Sequence, residues 1–301
     1  MPEEEALVIG LDIGGSKTLA GLVTRAGGVG LRMQVATAPS PTAILAALRS
    51  LCDKLIDCAA APVLGIGIGS AGIIDTKEGR VIFANENMPG WTGTRLTDRE
   101  IAGNLPITAE NDVRALAYGE AMLGAGADYD SLLCVTVGTG IGGALIMNGE
   151  VWHGADYSAG EIGYLVVDWD GDQPVILDQY ASGPAIERAY QVASGRDQRL
   201  PLEAIARMAK DGDATATEVI RMKARQLGAI LAGCATSLNP AALVVGGGVP
   251  EIGALWWDAL EAAFRANLPP PVAATPLLPA TLGANSVMLG AAMLAWKMVD
   301  A

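Results

Sequence analysis

The stretch Asp12-Ile-Gly-Gly-Ser-Lys-Thr18 lies between two apolar runs, and so does the stretch Thr136-Val-Gly-Thr-Gly-Ile-Gly-Gly143. Short apolar runs bounded by glycines are typical of strands, so a unit of strand, tight turn and strand occurs twice. Glycine adopts positive φ without steric cost, and successive N–H groups in such a turn form an anion-binding nest. The two stretches predict a duplicated core that binds a polyphosphate from two sides.

The order of predicted elements is that of an α/β protein with mixed sheets covered by helices. Strands are predicted at 6–12, 18–24, 31–37, 63–68, 131–137, 144–147 and 242–245. Helices are predicted at 42–59, 113–123, 183–194, 201–210, 214–237, 251–266 and about 284–298, with a proline-rich loop at 269–279. Asn148-Gly149 between apolar runs indicates a hairpin.

Composition narrows the class of protein. A chain of 301 residues suggests about two domains, and 51% hydrophobic residues can fill two cores. The formal net charge of −13 argues against nucleic-acid binding, which depends on clustered Lys and Arg. No basic, apolar leader is present at the start, and no uncharged apolar stretch reaches the ~18 residues of a membrane span. We expect a cytoplasmic protein with neither a nucleic-acid nor a membrane partner.

Two further glycine patterns, Gly138-x-Gly140-x-x-Gly143 and Gly67-x-Gly69-x-x-Gly72, match the dinucleotide fingerprint. That fingerprint needs a helix that begins at its third glycine. A hairpin and a turn are predicted instead, and no P-loop motif is present. The sequence therefore disfavours both an NAD site and a P-loop site.

Several polar residues of the glycine stretches are candidate phosphate or metal ligands. A carboxylate at Asp12 could hold Mg²⁺-bound water near phosphates. The alternative is an Asx-turn at the strand end, but the adjacent glycines favour the ligand role. Lys17 and Thr18 could contact phosphate or lie solvated in a hairpin. The hydroxyl of Thr139 lies inside the second predicted nest, which makes a phosphate contact reasonable.

Asn111 and Asp112 lie between a predicted strand at 106–109 and the predicted helix at 113–123. Both residues are good helix N-caps, whereas a carboxylate at this place could also be the general base that accepts a proton from an attacking hydroxyl. Glu161, in a glycine-flanked loop, is either a ligand for sugar hydroxyls or a solvated turn residue. His153 is the only histidine, so a histidine-based triad or metal site is disfavoured and a hairpin or surface position is expected.

The order and spacing of several short motifs resemble the ROK family (repressors, open reading frames and kinases) of the actin-like ATPase superfamily. The segments that carry the resemblance are Asp12–Thr18, Asn87–Trp91, Glu110–Asp112 with Gly119-Glu120, Val137–Gly143, Ala159–Gly163, Tyr180–Pro184 and Gly246–Gly248. The resemblance implies two actin-like (ribonuclease H-like) domains, with mixed sheets flanked by helices, around a central cleft. The implied domains are 1–111, to which a C-terminal helix at 286–301 returns, and 112–285.

The resemblance also implies roles for individual residues. Asp112 matches the base that activates a sugar hydroxyl, usually the one on C6. The implied sugar-binding residues are Ser70, Gly72, Asn87, Asn111, Asp112 and Glu161. Gly14, Gly15, Gly138 and Thr139 match phosphate contacts, and Gly246 and Gly247 match the floor under the adenosine. The other predicted nucleotide-binding residues, from the glycine turns themselves, are Asp12, Lys17, Thr18 and Gly140.

The chain departs from the family pattern at three places. The usual histidine after the loop glutamate is Tyr164, and the usual glutamate before Tyr180 is Asp178. The segment 165–180 has neither cysteine nor histidine, and zinc needs four such ligands, so no structural zinc is expected. Tyr164 and Asp178 are expected to alter the pocket around C1 and C2 of the sugar. Zinc-lacking relatives with a tyrosine at the position of Tyr164 include some N-acetylmannosamine kinases.

The function expected from the resemblance is a glucokinase-type transfer of phosphate from ATP, with Mg²⁺, to a hexose. An N-acetylmannosamine kinase is the first alternative, and a non-catalytic sugar-binding protein or a polyphosphate-using kinase is also open. A ROK transcriptional repressor is less compatible, because such repressors carry an N-terminal helix-turn-helix and the first strand here is predicted to begin by residue 6. Relatives are commonly homodimers, so a homodimer is expected.

Overall fold

The structure is a computed structural model, and it describes residues 6–85 and 88–301. The strands are β1 (Leu7–Ile13), β2 (Lys17–Val23), β3 (Val29–Ala36), β4 (Val63–Ser70), β5 (Ile73–Asp75), β6 (Arg80–Phe83), β7 (Ile107–Asn111), β8 (Ser131–Val137), β9 (Ile141–Met147), β10 (Glu150–Trp152), β11 (Val166–Asp170), β12 (Gln173–Ile176), β13 (Ala242–Gly246) and β14 (Leu277–Pro279). The helices are α1 (Pro41–Asp57), α2 (Arg99–Ala102), α3 (Asp112–Leu123), α4 (Leu177–Ala181), α5 (Gly183–Ser194), α6 (Leu202–Lys210), α7 (Ala214–Leu238), α8 (Ala254–Asn267) and α9 (Ser286–Asp300).

The chain divides into two compact units. The first contains the chain up to Asp128 together with Ile146–Ala159 and Thr281–Ala301. The second contains Tyr129–Leu145 and Gly160–Ala280. The boundary at 111–112 implied by the family resemblance stays a prediction.

A five-stranded sheet of order β3-β2-β1-β4-β7 forms the centre of the first unit. β2 pairs antiparallel with both β1 and β3, whereas β1, β4 and β7 run parallel to one another. The sheet is therefore mixed, as predicted. Its three parallel strands end at the same edge of the sheet, where ligands of open α/β sheets commonly bind.

Helix α9 lies directly against this sheet because glycines line the contact. A Cβ atom on Gly67 would lie 1.7 Å from the carbonyl oxygen of Ala291, and one on Gly10 would lie 2.2 Å from that of Met288. Any side chain at these positions would displace the helix. Gly67 and Gly69 thus allow a strand and a helix to pack closely. This packing explains the pattern Gly67-x-Gly69-x-x-Gly72 without a bound nucleotide.

The second sheet has the order β10-β9-β8-β13-β14, and β8, β13 and β14 are parallel. β9 and β10 are joined by Asn148-Gly149, whose φ angles of 53° and 74° are those of a type I′ turn. The predicted hairpin is therefore confirmed. Strand β9 follows the second glycine turn directly, so this turn opens a strand and not the helix of a dinucleotide site.

Some elements differ from the sequence predictions. The predicted loop at 269–279 ends in the short strand β14, and the hairpins β5–β6 and β11–β12 were not predicted. Strands of three to five residues carry too little period-2 pattern to be recognised. The helix predicted from 251 begins at Ala254, because Gly253 adopts a φ of 93° and separates it from a 3-10 turn at Val249–Ile252. No helix in the described parts of the chain is both long and apolar enough to cross a bilayer.

A pair of helical glycines tests the tight packing of α3 on α9. A Cβ atom on Gly290 would lie 1.7 Å from the carbonyl oxygen of Ala115, whereas one on Gly233 in α7 would meet nothing within 4 Å. Gly290→Ala is expected to lower stability by about 1–3 kcal/mol through overpacking. Gly233→Ala, the matched control, is expected to raise it by up to about 1 kcal/mol through helix propensity. Denaturant unfolding of both variants checks this, and a stabilised Gly290→Ala variant would contradict the contact.

Candidate active site

Three predicted site residues lie at the carboxyl ends of the parallel strands of the first unit. Asp12 is near the end of β1, Ser70 ends β4, and Asn111 ends β7. The strand register places Ile13 beside Ser70 and Ser70 beside Asn111. The sheet therefore brings together residues that are about forty to one hundred positions apart in the sequence.

The first glycine turn is closed by its own backbone and by one threonine. The N–H of Gly14 donates to the carbonyl of Lys17 at 3.0 Å, and the hydroxyl of Thr37 donates to the carbonyl of Gly14 at 2.6 Å. Thr18 is buried, and its hydroxyl lies 3.2 Å from that of Thr37. The structure thus ties Thr18 to the neighbouring strand, while Gly15 and Lys17 are exposed.

Asp12 is a half-buried carboxylate whose charge is unfavourable in its surroundings. Burial, followed by repulsion from the charge of Asp112, raises the pKa of Asp12 to about 7, and the charge of Lys17 opposes this shift. Two carboxylates that repel each other are a suitable donor set for a divalent cation, since Mg²⁺ is commonly held by one or two carboxylates together with phosphate oxygens and water.

Helix α3 begins at Asp112, and Asn111 is its N-cap. The side-chain oxygen Oδ1 of Asn111 accepts from the backbone N–H of Arg114 at 3.0 Å. The Asn111 amide donates to the carbonyl of Gly72 and to Oδ1 of Asp112, both at 2.9 Å. The capping alternative is therefore correct for Asn111, and its amide nitrogen has both hydrogen atoms engaged. This side chain fastens the loop at Gly72 to Asp112.

The Asp112 carboxylate is held through one of its two oxygens. Oδ1 accepts from the Asn111 amide and from the N–H of Val113, each at 2.9 Å. Burial raises the pKa of Asp112, against the effect of these hydrogen bonds. A desolvated carboxylate with one fixed oxygen has the arrangement of a general base.

The loop after β4 needs glycine at one position and buries its serine. Gly72 has a φ of 104°, and a Cβ atom there would lie 2.6 Å from the carbonyl of Phe83. The Ser70 hydroxyl accepts from the indole N–H of Trp91 at 3.0 Å, and Ser70 is fully buried. Asn87 lies outside the described residues.

Both predicted glycine segments of the second unit meet at the carboxyl ends of β8 and β13. The register places Gly246 beside Thr136. A Cβ atom on Gly247, whose φ is 95°, would lie 2.4 Å from the carbonyl of Val137. The turn at Gly138 is closed by a 2.8 Å bond from its N–H to the carbonyl of Gly140. The two segments form one glycine-lined surface, and only glycine fits at Gly247.

The turn that contains Thr139 also lies at the N-terminus of a helix. The N–H of Gly183, the first residue of α5, donates to the carbonyl of Gly138 at 2.9 Å. Helix N-termini carry partial positive charge and attract anions. The glycine turn and this helix end together suit a phosphate chain.

Three residues predicted near the sugar, Glu161, Tyr164 and Asp178, lie close together in the second unit. Burial, and then the charges of Glu161 and Asp178, raise the pKa of Tyr164. Asp178 Oδ1 accepts from the N–H of Ile141 at 2.6 Å, so this carboxylate is fastened to the end of the glycine turn. That bond, between residues 37 positions apart, had no signal in the sequence.

Sequence reasoning also missed the surroundings of Glu110. Glu110 is buried, and its Oε2 lies 2.6 Å from Nε2 of His153. His153 follows β10, in agreement with its predicted hairpin position, but it is engaged with this carboxylate. Within residues 6–85 and 88–301, no group of three or more His, Cys, Asp or Glu side chains is arranged to hold a metal ion.

The raised pKa of Asp12 makes stability depend on pH in a defined direction. The unfolded chain ionises Asp12 near its ordinary pKa of 3.8, whereas the folded chain keeps the proton until about pH 7. Ionisation therefore costs stability as the pH rises from about 4 to about 7. Asp12→Asn should match the wild type near pH 4 and exceed it above pH 7, by roughly 4 kcal/mol at most.

Thermal unfolding from pH 4 to pH 8 checks this expectation. Asp98→Asn is the matched control, because Asp98 is exposed and its side chain makes no capping bond. A difference between Asp12→Asn and the wild type that stays constant across this range would contradict the assignment.

Known proteins resemble this chain in both sequence and fold. The chain is 32% identical to a glucokinase of Streptomyces coelicolor, over 96% of this chain and 97% of that one. It is similar to the crystal structure of a ROK family glucokinase from Streptomyces griseus in complex with glucose and AMPPNP, with 33% identity, a TM-score of 0.82 and coverage of 97% and 99%. The ROK hexokinase from Thermus thermophilus matches with 30% identity, a TM-score of 0.85 and coverage of 98% and 99%.

The family model for ROK proteins matches residues 8–298. That match spans both compact units and every described site residue. The expected α/β class, with two mixed five-stranded sheets flanked by helices, is confirmed as well. The chain belongs to the ROK family.

Proposed function

We propose that this protein is an ATP-dependent glucokinase, which transfers the γ-phosphoryl group of ATP to the C6 hydroxyl group of glucose. The observation that carries the proposal is the Asp112 carboxylate, which is desolvated and has one oxygen held by Asn111 and Val113. The similarity to glucokinases over nearly the whole chain supports the same activity.

Asp112 performs the proton transfer in the proposed reaction. The sugar hydroxyl oxygen bonds to the γ-phosphorus, the bond from that phosphorus to the bridging oxygen of ADP breaks, and the hydroxyl proton passes to Asp112. Because Oδ1 is occupied by its two donors, Oδ2 is the oxygen that receives the proton. A positioned base of this kind contributes about 10²–10⁴-fold to the rate.

The nucleotide is proposed to bind through backbone groups more than through charged side chains. The glycine turn at Gly138–Gly140, next to the N-terminus of α5, receives phosphate oxygens. The family resemblance implies that Gly246 and Gly247 lie under the adenosine, and glycine is needed at both positions because a Cβ atom on either would collide with the second unit's own atoms. Mg²⁺, when bound with ATP, neutralises phosphate charge, and Asp12 is the residue proposed to hold it or its water.

We also propose the finer features implied by the family resemblance. These are a cytoplasmic homodimer without structural zinc, with a domain boundary at 111–112 and with Glu161, Tyr164 and Asp178 near the sugar. The absence of cysteine and histidine from 165–180 supports the lack of zinc. Tyr164 and Asp178 favour N-acetylmannosamine kinase as the alternative activity, because they change the groups that would face the C2 substituent.

A substrate panel tests the activity directly. We expect ADP release that depends on glucose when the purified protein is mixed with Mg-ATP. N-acetylmannosamine, N-acetylglucosamine, mannose and fructose form the other arms, and inorganic polyphosphate replaces ATP in a parallel series. A higher kcat/KM for N-acetylmannosamine would favour the alternative. No sugar-dependent ADP release in any arm would refute a kinase.

Replacement of the proposed base has a defined result. Asp112→Asn keeps an acceptor oxygen for Val113 but removes the basic group, so we expect kcat to fall about 10²–10⁴-fold with the thermal midpoint retained. Asp98→Asn, an exposed change in the same unit, should leave kcat unchanged. Because the pKa of Asp112 is raised, the wild-type kcat should increase as the pH rises from the acidic side. A near wild-type rate for Asp112→Asn would remove this residue from the role.

The hydrogen bond from Ile141 to Asp178 allows two roles of the Asp178 carboxylate to be tested separately. One role is to hold the glycine turn, and the other is to bind the sugar. Asp178→Ala removes the acceptor that holds the glycine turn, and a hydrogen bond to a charged group is worth about 1.5–3 kcal/mol. We therefore expect KM for ATP to rise about tenfold or more. Asp178→Asn retains a carbonyl acceptor and should show a smaller change, and exposed Asp172→Ala is the control. A rise in KM for glucose alone would show that Asp178 acts on the sugar and not on the turn.

A further inference from the structure

Glu110 is a buried carboxylate directly before the two proposed site residues of β7 and α3. Its side chain is 4% exposed. Oε1 accepts from the N–H of Asn111 at 2.8 Å, and Oε2 lies 2.6 Å from Nε2 of His153. Removal of a charge from water costs several kcal/mol unless hydrogen bonds compensate for it. Both oxygens of Glu110 are compensated in this way, one by the backbone of the site and one by His153.

The segment His153–Ala159, here called the 153–159 strap, forms a closed loop on the same unit. The N–H of Ala159 donates to the carbonyl of His153 at 3.2 Å, and the guanidinium of Arg114 donates to the carbonyl of Ala159 at 3.2 Å. A hydrogen bond from the Tyr157 hydroxyl lowers the pKa of Asp75. The strap is thus attached to β7 through His153, to α3 through Arg114 and to β5 through Tyr157.

Tyr157 adopts a strained backbone conformation within this strap. Its φ is 57°, in the left-handed region, which costs about 1–2 kcal/mol for a residue with a side chain. Such strain persists only where surrounding contacts over-determine the conformation, and it is concentrated at functional sites. The Tyr157 ring lies edge-on to the His153 ring at 5.7 Å between centroids. The conformation of the strap therefore supports the orientation of His153.

We propose that His153 is a positioning residue for phosphoryl transfer, which acts through Glu110 on Asn111 and Asp112. This inference rests on the proposed kinase activity. Without His153, Oε2 of Glu110 is a buried oxygen with one strong donor fewer, and the carboxylate gains by turning toward water. That rotation takes Oε1 away from the N–H of Asn111. A displacement of about 1 Å at a reacting group can cost as much as 10²-fold in rate.

The experiment compares four variants with the wild type by kcat, by KM for both substrates and by thermal midpoint. They are His153→Ala, His153→Gln, Glu110→Gln and the double variant His153→Ala/Glu110→Gln. We expect His153→Ala to lower kcat about tenfold or more and to change KM for ATP less than about twofold. His153→Gln places an amide N–H donor near the same point and should restore most of kcat. The double variant should be no slower than the slower single variant, because both changes break one chain of contacts.

Trp152→Ala is the matched control, since Trp152 precedes His153 and its side chain is largely exposed. It should retain the wild-type kcat. Unchanged kcat in His153→Ala would overturn the proposal, and so would a double variant whose losses multiply. A loss of kcat that follows a lowered thermal midpoint, and that glutamine does not restore, would reduce His153 to a structural role. An inactive wild type would instead refute the kinase activity itself.

A spectroscopic measurement keeps the proposal testable if His153→Ala does not fold. His153 is the only histidine, so the ¹⁵N imidazole spectrum of the wild type contains one pair of signals. Donation to the carboxylate of Glu110 requires a proton on Nε2, and we expect the Nε2-protonated pattern. In Glu110→Gln this pattern should change. A proton found only on Nδ1 in the wild type would contradict the contact.

Discussion

The close approach of α9 to the first sheet is the constraint on which the position of Asp112 depends. Glycines in β1 and β4 leave no space for a side chain between sheet and helix, and α3 packs against α9 through Gly119 and Gly290. The N-terminus of α3, where Asp112 lies, is thereby held beside the ends of the parallel strands. In a well-packed interior such a contact transmits a shift of even one methylene, so the packing of the helices limits where the proposed base can lie.

Two carboxylates whose ionisation is unfavourable, those of Asp12 and Asp112, lie at the same edge of the sheet. Asp12 and Asp112 both have raised pKa values because they are desolvated, and Asp12 also because it lies near Asp112. A protein that only had to be stable would gain from replacing one of them. Retention of two repelling carboxylates is typical of a site that gives up stability for chemistry. The hydrogen bonds of Asn111 and Val113 to Asp112 offset part of this cost and fix one oxygen in place.

The second unit uses backbone geometry where the first uses carboxylates. Its glycine turn, its second glycine segment at Gly246–Gly248 and the first residue of α5 converge on the ends of β8 and β13. The glycine turns and the helix N-terminus carry no side-chain positive charge, which accords with the acidic composition of the chain. Asp178 lies near Tyr164 and accepts a hydrogen bond from Ile141, at the end of the glycine turn. One hydrogen bond in this unit therefore joins the residues proposed for sugar to the turn proposed for phosphate.

The sequence by itself determined the α/β class, the repeated strand–turn–strand unit, the family and the junction of strand and helix at Asn111-Asp112. These features are local, because glycine conformation, period-2 apolar runs and capping residues are encoded within a few positions. Only the tertiary structure decided which polar groups are engaged: Thr18 with Thr37, Ser70 with Trp91, Asp178 with Ile141, and Glu110 with His153. These pairs lie from 19 to 43 positions apart. No periodicity marks such partners, since the folding of the chain, and not its local pattern, brings each buried polar group to the one donor or acceptor that compensates it.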